Sequence, residues 1–122
     1  MTRIAPLAFA VILSGPAFAA DWELRPGDVP LSPDELSALA GETLVFFDDG
    51  QSKYSAGGAY SYTYSAANGG GTAYGTYRVA EDGSICTEFR NGASRCDLYV
   101  RDGNRLVLID EKGQRFPVRS RP

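Results

Sequence analysis

Three tyrosines at alternate positions are the first candidates for binding chemistry in this sequence. Tyr60, Tyr62 and Tyr64 are two residues apart, so in a strand they lie on one face. An aromatic face with hydroxyl tips suits stacking on a sugar ring or contact with another protein. The alternative is structural, because tyrosine is a favourable strand residue whose ring can lie half in a core while its hydroxyl stays in water.

Pairs of adjacent carboxylates offer a second kind of chemistry. They occur at Asp48-Asp49, Glu81-Asp82 and Asp110-Glu111. Two such groups in a pocket could act as the acid and base of a glycoside hydrolase, and an oxygen-rich cluster could hold calcium. Each pair lies where a turn is expected, however, and Asp is favoured in turns for backbone reasons. We therefore expect no catalytic residue, no cofactor and no metal site.

The absence of histidine narrows the chemistry further. With none in 122 residues, histidine-based acid–base catalysis and histidine-ligated metals are excluded. Residues 20–83 carry three basic and ten acidic side chains, a net charge of −7, whereas residues 84–122 carry eight and five, a net charge of +3. This balance argues against a nucleic-acid partner, and it favours two halves that neutralise each other on folding over a surface for an anionic ligand.

The N-terminal residues have the pattern of an export signal. A charged start at Arg3 is followed by an apolar run over 4–13, a Gly-Pro break and the small residues of Ala17-Phe18-Ala19. We interpret residues 1–19 as a signal peptide and expect the remaining 103 residues in the periplasm or outside the cell. No cysteine follows the expected cleavage site to carry a lipid, and we expect no transmembrane segment in the mature chain.

The two cysteines, Cys86 and Cys96, predict a disulfide in an oxidising compartment. If they face each other, the loop of their hairpin has an odd number of residues. A three-residue loop, 90–92, meets this condition and places Gly92 where such loops need a left-handed residue. Strict alternation then makes the two cysteines a closely spaced, non-hydrogen-bonded pair that a disulfide can bridge. The commoner two-residue Asn-Gly turn would set Cys86 opposite Asp97 instead.

A short helix is predicted before the strands. The run 32–35, Ser-Pro-Asp-Glu, combines an N-cap, a proline in the first turn and a capping box. Leu36 and Leu39 give the helix an apolar stripe, and we assign it to 33–40. A helix of two turns is not stable alone and must dock on the rest of the domain. The residues before it, 20–31, are interpreted as a polar lead segment.

From Thr43 onward the sequence alternates between apolar and polar residues and is punctuated by Asp-Gly and similar turns. Strands are predicted at 43–48, 51–56, 59–65, 73–80, 84–89, 93–101, 104–110 and 114–119. Short strands joined by tight turns favour an antiparallel meander. Seven or eight strands have two exposed edges unless the sheet curls. We therefore predict one all-β domain over 32–122, a small barrel or curved half-barrel with one short N-terminal helix.

The predicted hairpin leaves apolar side chains on both faces of the C-terminal strands. Phe89 and Tyr99 share one face, and Leu98 lies on the other. Continuing through an Asp102-Gly103 turn sets Tyr99 opposite Leu106. A strand that is apolar on both sides is usually covered on both sides, and the predicted helix is the expected second cover. Without that cover, the face with Phe89 and Tyr99 becomes an exposed patch and a partner site.

The order of these features resembles a group of small proteins. The signal and the leucine-containing helix are followed by Asp49-Gly50, Gly75-x-Tyr77-x-Val79, Asp82-Gly83-x-x-Cys86, and Cys96 with a terminal hairpin. This pattern resembles the small, uncharacterised periplasmic β domains of Gram-negative bacteria over most of the mature chain, and that resemblance implies no activity. In outline the sequence is also similar to periplasmic protease inhibitors, in which an eight-stranded barrel and one disulfide accompany an N-terminal segment that plugs an enzyme cleft. The cysteine spacing differs from that family, so no inhibitory residues are transferred.

We interpret the sequence as that of an exported, monomeric, non-enzymatic binding module whose partner is an envelope protein or a wall glycan. Its candidate binding surface is aromatic and consists of Tyr60, Tyr62, Tyr64, Phe89 and Tyr99. Two alternatives stay open. One is an inhibitor of a lysozyme or protease that acts through the lead segment. The other is a small carboxylate-dependent hydrolase, which requires two acids converging in one pocket.

Overall fold

A computed structural model describes residues 21–122, so the predicted signal peptide lies outside the described residues. Within this range the chain is all-β apart from one α-helix and one 3-10 turn. The elements in chain order are β1 (Asp28–Pro30), α1 (Pro33–Ser37), β2 (Thr43–Phe46), β3 (Gln51–Tyr54), β4 (Ala59–Thr63), the 3-10 turn (Ala66–Asn68), β5 (Thr72–Val79), β6 (Ile85–Phe89), β7 (Ser94–Asp102), β8 (Arg105–Asp110) and β9 (Arg115–Ser120). The eight predicted strands correspond to β2–β9.

Eight of the strands close into an antiparallel barrel. Each strand from β2 to β8 pairs with its successor in the chain. The last strand, β9, returns to β2, with Val45 opposite Ser120 and Phe46 opposite Val118. This pairing removes the free edges that an open meander would expose. Of the two predicted forms, the closed barrel is therefore the one that the chain adopts.

A ninth strand, β1, lies outside the barrel. It pairs with the second half of β7, from Asp28 opposite Asp102 to Pro30 opposite Val100. There β7 extends beyond its pairing with β6, whose first residue, Ile85, pairs with Asp97. The sequence did not predict β1, because Asp and Pro are poor strand residues and the strand forms only through its tertiary partner.

The disulfide hairpin between β6 and β7 has the predicted register. Cys86 lies opposite Cys96 with their Cα atoms 4.0 Å apart, and the two are joined by a disulfide. The Phe89 N–H donates to the Ala93 carbonyl at 2.8 Å. Gly92 has φ +91°, the left-handed conformation that the three-residue loop requires. The odd-loop prediction is confirmed.

The predicted register of the next hairpin was wrong by two residues. The two-residue turn consists of Gly103 and Asn104, because Asp102 pairs with Arg105. Tyr99 therefore lies opposite Leu108 rather than Leu106. Gly103 has φ +63° at the first central position of the turn, where glycine is favoured in type II′ hairpins. Because side chains alternate with a period of two, this shift leaves every residue on its predicted face.

The helix is capped as predicted but is shorter. The Glu35 N–H donates to the Ser32 hydroxyl at 3.2 Å, and the Ser32 N–H donates to the Glu35 carboxylate at 2.9 Å. The α-helix ends at Ser37 rather than at residue 40. The Leu39 N–H donates to the Leu36 carbonyl, three residues back, so the chain tightens into a turn.

This short helix closes one end of the barrel. Leu36 and Leu39 are buried in the interior cluster together with Leu44, Tyr99 and Leu106. The Tyr99 face is thus turned inward by barrel closure and covered by the helix. The alternative, in which this face is an exposed patch, does not apply to Tyr99.

The outer apolar face has a cover that the sequence did not predict. A second buried cluster lies outside the barrel and consists of Leu98, Val100, Val107 and Ile109. Trp22 of the lead segment packs against this cluster, and its indole N–H donates to Asp82 at 3.1 Å. The helix covers the face of Tyr99, as predicted, and the lead segment covers the opposite face.

Ion pairs join the acidic N-terminal half to the basic C-terminal half. Among the described residues, four of the five ion pairs connect these halves: Asp28–Arg115, Glu35–Arg101, Glu42–Arg121 and Asp49–Arg119. The carboxylate of Asp28 is fully buried in its pair. The charge asymmetry of the sequence is therefore resolved within the chain, as the mutual-neutralisation interpretation predicts.

Candidate functional site

The barrel end opposite the helix is open. In an antiparallel barrel, successive strands run in opposite directions. The open end is therefore where β2, β4, β6 and β8 finish and the next strands begin, whereas the helix precedes β2 and lies at the opposite end. A cavity of about 190 Å³ enters the barrel at the open end, and we call it the mouth cavity. Eight-stranded barrels have an interior that side chains can fill or that can hold one small ligand.

The wall of the mouth cavity is mainly aromatic. It is formed by Phe46, Tyr60, Tyr62, Tyr64, Phe89 and Phe116, together with Leu108. These side chains meet because alternate residues of each barrel strand point inward. Tyr64 and Phe116 mark the rim, since they are 47% and 41% exposed. The rings of Tyr62 and Tyr64 are 4.9 Å apart in an edge-to-face arrangement.

One glycine is needed to make this wall. The hydroxyl of Tyr62 lies against Gly50, where a Cβ atom would collide with it. A side chain at Gly50 would thus displace the Tyr62 ring from the cavity wall.

The structure brings most of the predicted site residues together. Four of the five line the mouth cavity: Tyr60, Tyr62, Tyr64 and Phe89. Tyr99 is fully buried below them, where its hydroxyl lies 2.7 Å from that of Tyr54. The tyrosine strand and the face with Phe89 and Tyr99, which the sequence presented as two surfaces, are one interior surface in the closed barrel. A fully buried Tyr99 supports this surface rather than forming part of it.

The hydroxyl groups around the cavity floor are neutral. The Tyr60 hydroxyl lies 2.8 Å from the Ser52 hydroxyl, and burial raises the pKa of Tyr60 to about 12. Burial also raises the pKa values of Tyr54 and Tyr99 well above their ordinary value. Near neutral pH these groups therefore act as hydrogen-bond donors and acceptors without charge.

An ion pair between Arg95 and Asp97 contributes charged groups to the cavity wall. The Arg95 Nη2 lies 2.7 Å from Asp97 Oδ1, and Nε lies 3.0 Å from Oδ2. Asp97 is 6% exposed, whereas the Arg95 side chain is 47% exposed toward the opening. Burial raises the pKa of Asp97, Arg95 opposes that rise, and the charges of Asp110 and Glu111 add to it.

Sequence reasoning missed this pair as a site feature. Two charges on one strand, two residues apart, have the pattern of a solvated ion pair of small value. The available signal was the predicted hairpin register, which already placed Arg95 and Asp97 on the same face as Phe89 and Tyr99. Because the barrel closes, this face points into its interior, and Asp97 is buried there with Tyr99.

The predicted carboxylate pairs serve mainly in turns. Asp48 lines the cavity, but its carboxylate accepts hydrogen bonds from the Gly50 N–H at 2.8 Å and from the Asn68 amide at 3.3 Å. Asp110 accepts from the backbone N–H groups of Lys112 and Gln114. Across residues 21–122, the structure has no group of three or more acidic or cysteine side chains that could hold a metal ion.

Comparison with protein-family models, with curated proteins and with solved structures found no match for this chain. The function must therefore be inferred from the geometry of the site. In the part of the chain that the structure describes, no helix is long and apolar enough to cross a membrane.

Proposed function

We propose that this protein is a non-enzymatic binding module of the cell envelope and that its ligand enters the mouth cavity. The observation that carries the proposal is the difference between the two ends of the barrel. Leu36 and Leu39 are buried at one end, where a cavity of about 390 Å³ beside the helix has no aromatic side chain in its lining, whereas aromatic rings line the opening at the other end. A concave aromatic site with a few polar groups is the usual form of a ligand site. The export pattern and the disulfide support a location in the envelope.

The size of the cavity limits what it can hold. A cavity of about 150 Å³ accommodates a benzene molecule, and the mouth cavity is somewhat larger at about 190 Å³. The ligand is therefore a compact molecule, or a single ring-sized group that projects from an envelope protein or a glycan. The exposed rings of Tyr64 and Phe116 at the rim would contact the part that stays outside.

The proposal is tested by a rim variant, Tyr64→Ser with Phe116→Ser, in capture experiments with envelope extract and with purified wall glycan. We expect the variant to retain at most about a tenth of the bound material, because aromatic anchors carry much of the energy of such contacts. The matched control is Tyr74→Ser, since Tyr74 is equally exposed but lies outside the barrel beside Arg90. Equal capture by the rim variant and the wild-type protein would show that the ligand binds elsewhere.

The two other functions have less support from the geometry. An inhibitor that acts through its lead segment would have to release Trp22 and β1 from the barrel before entering an enzyme cleft. A hydrolase would need two available acids, whereas both carboxylates in the cavity, Asp48 and Asp97, are engaged in hydrogen bonds. Binding in the mouth cavity requires neither release of the lead segment nor a pair of available acids.

A further inference from the structure

The Arg95–Asp97 pair is costly as a structural element. The cost falls on Asp97, which is 6% exposed, because removing a carboxylate from water has a desolvation cost that its attraction to a half-exposed arginine often fails to repay. The pair nevertheless lies in the barrel interior, directly among the aromatic rings of the mouth cavity. Its position indicates a role in recognition rather than in packing.

The pair presents hydrogen-bond donors to the opening. Asp97 engages Nε and one N–H of Nη2 of the guanidinium. A guanidinium has five N–H donors, so three remain, and no described residue accepts a hydrogen bond from Nη1. About half of the Arg95 side chain is exposed, which makes these donors accessible. A matching ligand must therefore offer oxygen acceptors.

The charges around the cavity select among such ligands. The lining residues Arg95, Asp97 and Asp48 sum to a net charge of −1, and Asp110 and Glu111 add negative charge close to Asp97. An anionic ligand would meet this negative field. A cationic ligand would face the guanidinium and leave its N–H donors without acceptors. Uncharged hydroxyl or amide oxygens satisfy the donors without either penalty.

The aromatic wall of the mouth cavity favours a ligand with a flat, ring-shaped apolar face. The apolar face of a pyranose can pack against aromatic rings while its hydroxyl groups reach polar partners, and the cavity volume suits one ring. We propose that the mouth cavity binds a single neutral sugar residue and that Arg95 is the residue that recognises its oxygen atoms. This inference rests on the proposed function and names the chemical class of its ligand.

Three sugars of the same ring size test the selection. The purified protein is titrated with N-acetylglucosamine, with glucuronate as the anion and with glucosamine in its ammonium form, and binding is followed by NMR chemical-shift changes. We expect N-acetylglucosamine to shift the signals of the mouth cavity and to bind about tenfold or more tightly than either charged sugar. Equal or tighter binding of glucuronate or glucosamine would overturn the inference, as would no binding of any of the three.

Variants then test the role of Arg95. Arg95→Lys keeps the charge but loses the planar donor array, and we expect binding of N-acetylglucosamine to weaken about tenfold or more. The matched control is Arg90→Lys, outside the barrel, which should leave binding unchanged. Wild-type affinity in Arg95→Lys would overturn the inference. If Arg95→Lys does not fold, Phe116→Ser at the rim replaces it, and unchanged binding there would contradict a site in the mouth cavity.

The two proposals fail in different ways. If none of the sugars binds but the rim variant still loses capture from envelope extract, the neutral-sugar inference is wrong and the binding function stands. If the rim variant captures as much as the wild-type protein, the proposed function fails.

Discussion

Asp97 and Asp28 each pair with an arginine, yet their surroundings shift their acidity in opposite directions. Burial raises the pKa of Asp97 despite its contact with Arg95. The hydrogen bonds from Arg115 lower the pKa of Asp28. The difference separates a carboxylate whose charge opposes folding from one whose charge supports it. At the residue scale, the pair in the mouth cavity is thus distinguishable from the pair that anchors the lead segment.

Replacing Asp97 with Asn tests the first of these environments. Because the pKa of Asp97 is raised by folding, its stabilising contribution is fully present below the ordinary value of 3.8 and is lost as pH rises through the folded value. We expect the unfolding free energy of the wild-type protein, relative to Asp97→Asn, to fall as pH rises through this window. Urea unfolding at a series of pH values measures it, and a relative rise would contradict the account.

Replacing Asp28 with Asn should give the opposite slope. The pKa of Asp28 is lowered by folding, so its contribution is present above the ordinary value of 3.8 and is lost as pH falls through the folded value. The wild-type protein should therefore lose stability relative to Asp28→Asn on acidification below this value. The same urea series provides the comparison, and the same sign of slope for both variants would show that the two environments have been misjudged.

At the element scale, the described chain is a barrel held by two covers, the helix at one end and the lead segment on the outer surface. The β6–β7 hairpin could be predicted in full register, because the cysteines impose an odd loop. The β7–β8 register could not, because Asp102-Gly103 and Gly103-Asn104 are both acceptable two-residue turns and no covalent link distinguishes them. The role of Trp22 escaped prediction as well, since one aromatic residue in a polar segment has no periodic pattern.

Trp22→Ala tests the outer cover. Removing the indole exposes the cluster formed by Leu98, Val100, Val107 and Ile109. Since Trp22 is only partly buried, we expect a loss of about 1–3 kcal/mol in the free energy of unfolding, less than for a fully buried tryptophan. The matched control is Leu24→Ala in the same segment, where the side chain is exposed. Equal stability of the two variants would mean that Trp22 does not cover the cluster.

At the scale of the whole molecule, closure of the barrel creates the site. Closure depends on pairing between β2 and β9, the first and last strands of the barrel. A turn motif predicts pairing only between strands that are consecutive in the chain, so this contact has no signal in the sequence. The alternation of Tyr60, Tyr62 and Tyr64 could be predicted, but the contact of Tyr60 with Phe89 could not, because it depends on a register in which Gly75 pairs with both residues. At the same closure, Glu42 and Asp49, which flank β2, form ion pairs with Arg121 and Arg119 of the C-terminal segment.

The central claim is that the open end of the barrel is the binding site. Chemical-shift mapping with soluble wall-glycan fragments tests it most directly. The account predicts that the shifts concentrate on Tyr62, Phe89 and Arg95 around the mouth cavity and spare Trp22 and Tyr74 on the outer surface. Shifts confined to the outer surface, with the cavity residues unchanged, would contradict it.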